Sequence, residues 1–154
     1  MRTKVKIVIT ILVAAFALAQ FIRPSRINPP VNEPDTLRAS SNLAPEVDAV
    51  LVRSCNDCHS NETRYPWYSN ITPANWFLDS HIRDGRAELN FSEWNTYTAR
   101  RKARKLDEIC EQVETGAMPL PSYLWVQRKA ALSPDEVRLL CDWAMSEKAR
   151  VAPE

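Results

Sequence analysis

The sequence predicts an all-α fold, and three observations carry that expectation. Only two glycines, Gly85 and Gly116, accompany eleven prolines in 154 residues, which suits helices joined at proline-marked corners better than hairpin turns or a phosphate-cradling loop. Four segments place apolar residues at helical spacing behind recognisable caps. No stretch alternates apolar and polar residues as a strand would, and no internal repeat is present. The length suits one domain with some accessory chain. Charged residues at 25% and apolar residues at 45% exclude general disorder and a multi-span membrane protein. Twenty Lys and Arg against nineteen Asp and Glu leave a net charge near +1, so nucleic acid is not the expected partner.

In chain order, Arg2, Lys4 and Lys6 precede an apolar run, Ile7 to Ala19, interrupted only by Thr10. A basic region followed by an apolar one marks an exported chain. Ala17-Leu18-Ala19 supplies the small-x-small pattern of a cleavage site. Extension to Ile22 gives roughly 24 Å of helix at about 1.5 Å per residue, a little short of the hydrocarbon core but workable with basic flanks. Residues 1–22 are therefore expected to be a membrane anchor or a signal peptide, placing the rest outside the cytoplasm. Residues 23–43, with four prolines and no period, read as an extended spacer that holds the domain off the membrane.

Residues 44–148 form the expected domain. Pro45 opens a helix whose apolar face is Val47, Val50 and Leu51. Thr72-Pro73 caps a second, carrying Trp76, Phe77, His81 and Ile82, which Gly85 should end. Asn90 with Glu93, or Ser92 alone, opens a third, with Leu106, Ile109, Cys110 and Val113 as its stripe and Gly116 as its end. Ser133-Pro134-Asp135-Glu136 is a capping box for the last helix, with Val137, Leu140, Cys141 and Ala144 inward.

Cys55-Asn56-Asp57-Cys58-His59 is C-x-x-C-H, the attachment signature of c-type haem. Two thiols on one helical turn reach the two vinyl groups of a porphyrin, and the next imidazole meets the iron from the same side. A thioredoxin-like pair would want a βαβ context. A zinc site lacks a well-spaced second pair of ligands. The expected cofactor is one covalently attached haem c with its iron.

The sixth ligand separates electron transfer from gas or peroxide chemistry. Met118 sits in Thr115-Gly116-Ala117-Met118-Pro119-Leu120-Pro121, a proline-stiffened loop 59 residues after His59 that can present a thioether without a flexible backbone. His59 and Met118 form the favoured axial pair, and His81 stays open as the alternative. Methionine ligation raises the reduction potential, because soft sulfur prefers the ferrous ion.

The order of helix, C-x-x-C-H, intermediate helices, Gly-x-Met-Pro loop and capped terminal helix resembles class I monohaem cytochrome c. More narrowly, residues 55–94, CNDCHSNETRYPWYSNITPANWFLDSHIRDGRAELNFSEW, are similar to the bacterial haem-binding domain family related to cytochrome c. The resemblance covers residues 44 to 146. It implies a cytochrome c-like helical domain around one haem, with Cys55 and Cys58 as attachment residues, His59 as proximal ligand and Met118 as the loop methionine. It also implies electron transfer, with the family's physiological partners mostly unassigned. No catalytic residue is needed, redox partner proteins or membrane respiratory complexes are the expected partners, and the N-terminal segment places the domain on the periplasmic side of the inner membrane, anchored there or free in the periplasm after cleavage.

Other readings stay open. The iron could bind a small ligand or peroxide if Met118 is displaced, with His81 and Arg83 as a distal pair, or the chain could be a haem subunit of a respiratory assembly. Tyr65, Trp67, Tyr68, Trp76 and Arg64 are candidates to cover the haem edge and its propionates. Free buried thiols at Cys110 and Cys141 are slightly preferred over a disulfide. The run Arg100 to Lys105 reads as a solvated face.

Overall fold

The computed structural model describes residues 2–151. Among them every regular element is helical, as two glycines and the capped apolar stripes require. Eight α-helices occur: α1 (Arg2–Ala19), α2 (Leu37–Ser40), α3 (Pro45–Ser54), α4 (Asn56–His59), α5 (Ala74–Glu88), α6 (Ala99–Glu114), α7 (Pro121–Leu124) and α8 (Pro134–Val151). Four 3-10 segments, Glu33–Asp35, Trp67–Asn70, Phe91–Thr96 and Arg128–Ala130, join them.

Helices α6 and α8 pack along each other, and α3 packs against α8. The Cys110–Cys141 disulfide, with Cα atoms 4.8 Å apart, staples α6 to α8. The two cysteines lie on the facing stripes of antiparallel neighbours, so they bond and the expectation of free thiols is corrected. The core gathers Val47, Val50 and Leu51 of α3, Leu106 and Val113 of α6, Leu140, Trp143 and Ala144 of α8, and Phe91, Trp94 and Tyr97.

The start of α8 is the expected capping box. Ser133 N donates to Glu136 at 2.8 Å and Glu136 N donates to Ser133 Oγ at 3.3 Å. Arg53 of α3 donates to the same Glu136 carboxylate at 2.7 Å. With Arg53 and the Ser133 backbone N–H as partners, the carboxyl falls from 4.5 to about 2.

Two helix boundaries differ from expectation. α5 does not end at Gly85 but continues to Glu88. α6 starts at Ala99 behind Thr98, whose hydroxyl accepts from Arg101 N at 3.3 Å. Asn90 instead caps the 3-10 segment, accepting from Ser92 N at 3.0 Å. Phe91, Trp94 and Tyr97 repeat every three residues, and that tighter period buries all three.

Residues 23–43, expected as a spacer, lie packed along the body as a strap. Leu37 is 3% exposed and belongs to the core. Asn28 donates to Thr63 O at 3.0 Å, Asn61 donates to Pro30 O at 3.2 Å, and Arg150 of α8 donates to Ser40 O at 2.6 Å. Proline keeps the strap extended, and side chains of the body satisfy backbone carbonyls that an isolated spacer would leave to water.

α1 carries three basic residues in its first turn and a half and buries no residue. No helix among the described residues is long and apolar enough to cross a membrane.

Candidate haem site

The chain turns sharply between α3 and α4, and that turn carries Cys55, Cys58 and His59. Cys58 N and His59 N both donate to Cys55 O, at 3.1 and 3.0 Å, which brings the two thiols and the imidazole onto one short stretch. Ser60 closes the turn by donating to Asn56 O at 2.8 Å.

His59 Nδ1 lies 3.1 Å from both Gly85 O and Leu89 O. Carbonyl oxygens only accept, so Nδ1 carries the proton and Nε2 keeps its lone pair, the arrangement that orients a metal-binding histidine. Burial pushes the imidazole below its ordinary pKa, against the pull of the two carbonyls. That direction favours the neutral ring that ligation requires.

Gly85 explains why α5 can approach so closely. A Cβ there would sit 2.7 Å from Cys58 O, so this position in the helix interior admits no side chain. Its backbone supplies the acceptor and its missing side chain supplies the room.

Three clefts border this turn. The largest, about 440 Å³, is mostly apolar and is walled by Cys55, His59, Leu89, Ile109, Met118 and Leu140. A second, of about 220 Å³, shares Cys55, His59 and Met118 and adds Cys58, His81 and Tyr123. A third, of about 280 Å³, meets the second at Cys58, His81 and Tyr123 and is walled by Trp67, Tyr68 and Phe77. Together the first two, which share Cys55, His59 and Met118, match the size and apolar character of cofactor sites.

Of the residues that sequence reasoning singled out, Cys55, His59 and Met118 line the first and second clefts together, and Cys58 joins them in the second. His81 lies on α5 at the border of the second and third clefts, its Nδ1 2.7 Å from Phe77 O and its ring tilted against that of Phe77 with centroids 4.1 Å apart. Trp67 and Tyr68 also reach the third cleft. Arg64, Tyr65 and Trp76 face elsewhere: Arg64 pairs with Asp57 at 3.0 Å, Tyr65 lines a separate small cavity, and Trp76 Nε1 donates to Ile22 O at 2.8 Å.

Four residues that the sequence reading did not assign to the site, Gly85, Asp57, Tyr123 and Lys105, help shape it. Gly85 is the first. Asp57, inside C-x-x-C-H, accepts from Tyr123 Oη at 2.8 Å and so fastens α7 and the methionine loop to the thiol turn. Lys105 is only 2% exposed and walls the largest cleft, which corrects the reading of Arg100 to Lys105 as wholly solvated. Its ammonium donates to Glu108 at 2.6 Å and to Glu88.

Burial pushes the Cys55 thiol up to about 12 and the Cys58 thiol up to about 11, with Cys55 further raised by Cys58 and Cys58 by Asp57. Disulfide oxidoreductases do the reverse, keeping a cysteine thiolate at neutral pH. An iron porphyrin fits the donor set: an apolar cleft, an imidazole with free Nε2, a thioether across the same cleft and two thiols beside it.

A model of the haem-binding domain family matches residues 14–146. Comparison with curated proteins and with solved structures finds no match. Because the family match runs unbroken through the strap, the thiol turn, the methionine loop and most of α8, the chain belongs to the haem-binding domain family.

Proposed function

We propose that the protein is a monohaem c-type cytochrome that carries single electrons. In this reading Cys55 and Cys58 would hold the haem by thioethers, and His59 and Met118 would ligate its iron. The carrying observation is that His59, with its proton held at Nδ1 by two carbonyls, shares both of its clefts with Met118. When bound, the haem supplies an iron that takes up and returns one electron.

The chain's own residues do the rest. Gly85 and Leu89 keep His59 oriented. Asp57 and Tyr123 hold the methionine loop against the thiol turn. Leu51, Phe91, Ile109, Val113 and Leu140 line the largest cleft and keep water out. A carrier needs no acid or base at its centre, and the charged groups that border that cleft, Lys105 with Glu88 and Glu108, are paired with one another.

The domain acts on the periplasmic side of the inner membrane, with redox proteins or respiratory complexes as partners. Retention of α1 is supported by the residues just after Ala19. The Gln20 amide makes two hydrogen bonds with the Thr72 backbone, both 3.0 Å, so the candidate cleavage point is folded against the domain rather than extended. A second reading, ligand binding at a displaceable sixth position, draws on His81 at the border of two clefts.

The test is the oxidised and reduced absorption spectrum of wild type, Met118→Ala and His81→Ala. The expected result is a low-spin haem, retained through acidified acetone, whose near-infrared sulfur-to-iron(III) band disappears only in Met118→Ala. A high-spin wild type, or sensitivity only to His81→Ala, would overturn the axial assignment. Extraction of the haem by the solvent would overturn the thioether reading.

A further inference from the structure

We propose that the face carrying Trp67, Phe77, Trp125 and Val126 rests on the phospholipid surface to which α1 attaches the chain. The inference builds on the reading of α1 as a retained membrane attachment, and goes beyond it by orienting the folded domain.

The exposures are large: 80% for Trp125, 76% for Trp67, 59% for Val126 and 57% for Phe77. Isolated exposed apolar residues are ordinary, but a contiguous patch marks an interaction surface. Contiguity is shown by the third cleft, which Trp67, Phe77 and Val126 line together. Trp125 precedes Val126 in the chain.

The apolar helix joins the body on the adjoining side of α5. Trp76, next to Phe77, donates its indole N–H to Ile22 O at 2.8 Å. Gln20 is fixed to Thr72 at the entrance to α5. α1 thus leaves the body beside the aromatic patch, with Leu12, Val13, Phe16 and Leu18 all more than half exposed. Whatever takes up these α1 side chains lies next to Trp76 and Phe77.

A lipid headgroup region suits this composition. Indole rings partition to the boundary between headgroups and acyl chains, where the ring is shielded and the N–H can be satisfied. Arg23 and Arg26 at the junction, and Arg128 and Lys129 just after Val126, supply cations for anionic headgroups. The acidic neighbour Asp79 faces Arg83 at 3.8 Å and does not oppose them unpaired.

The test reconstitutes the full-length, haem-loaded protein into vesicles of phosphatidylcholine with a minority of phosphatidylglycerol, carrying a lipid with a diazirine near its glycerol backbone. After irradiation, adducts are mapped by peptide mass spectrometry. The expected result is labelling of α1 and of the peptides with Trp67, Phe77 and Trp125, several-fold above the α8 peptide with Met145, itself 56% exposed. Joint replacement Trp67→Ser and Trp125→Ser, at exposed positions that leave the core intact, should lower labelling of that face several-fold and leave α1 unchanged. Adducts confined to α1, or equal on the Met145 peptide, would overturn the orientation while leaving the attachment standing. Absence of adducts everywhere would overturn both.

Discussion

Gly85 lies in the interior of α5, where helix propensity alone says that Gly85→Ala should stabilise by about 1 kcal/mol. The structure says the opposite. The added Cβ would meet Cys58 O at 2.7 Å and the Cys58 carbonyl carbon and Cβ at 3.2 Å. These are backbone and near-backbone atoms of the turn that carries the thiols, so they cannot swing aside as a side-chain tip could. α5 must retreat by several tenths of an ångström, and Gly85 O, 3.1 Å from His59 Nδ1, retreats with it. Overpacking costs about 1–3 kcal/mol and a weakened hydrogen bond about 0.5–1.5 kcal/mol. Against a propensity gain of about 1 kcal/mol, the net is a loss of about 1–3 kcal/mol, or roughly 3–10 °C in melting temperature. Circular dichroism melting of the haem-loaded protein reads the loss, and the pyridine haemochrome per polypeptide reads the fall in haem attachment. Gly116→Ala is the control, since its Cβ meets nothing within 4 Å and its φ of +69° costs only about 1–2 kcal/mol of backbone strain. Haem loading should survive it. A Gly85→Ala variant as stable as wild type and fully loaded would refute the argument.

Removing the disulfide by Cys110→Ala with Cys141→Ala opens a link between residues 31 apart. Chain entropy puts the loss at about 3–4 kcal/mol, measured by urea unfolding, and a loss below about 1 kcal/mol would contradict that account. At Lys105 the two ways of breaking the cluster should differ. Lys105→Met leaves Glu88 and Glu108, 72% and 38% exposed at their side chains, free to be rehydrated, whereas Glu88→Gln with Glu108→Gln strands a buried ammonium. The double variant should be the less stable by urea unfolding, toward the roughly 3–5 kcal/mol seen for an uncompensated buried charge, and the reverse order would sink the reasoning. Glu136 is held from 4.5 down to about 2, so its pair with Arg53 contributes fully above pH 4.5 and is lost as pH falls toward 2. Glu136→Gln should flatten the stability profile across that window in acid titration, and an unchanged acid limb would remove the pair from the account.

The helices that could be read from sequence are those whose signals are local. α3 and α8 start where proline and the capping box place them, because both devices act within one turn of chain. The start of α6 escaped because Asn90, Ser92 and Glu93 carry good capping chemistry that serves a 3-10 segment instead. What decides between the two is burial of Phe91, Trp94 and Tyr97 in the core, beneath α2 and the Glu33–Asp35 segment, a tertiary term absent from a cap. The strap is a similar case. Four prolines forecast extended backbone correctly, but whether extended chain floats or docks depends on donors such as Arg86 and Asn61, which lie far away in sequence.

The site divides along the same line. Cys55, Cys58 and His59 are contiguous, so a five-residue pattern suffices to mark them. Met118 was legible because a proline-flanked loop announces itself. Gly85 carried a visible signal that pointed the wrong way: a glycine after an apolar helical stripe reads as a helix end, while here it permits a close crossing. Its spacing held the clue, since Gly85 falls one turn beyond His81, the alternative ligand, on the same face of the helix. Lys105 was hidden by its company, because five basic or small neighbours read as a solvated run, and only α6's rotation sends this one position inward against Glu88 and Glu108. Composition shows that charges are present; which of them is buried is settled by the phase of a helix fixed elsewhere, in this case by Leu106, Val113 and the disulfide to α8.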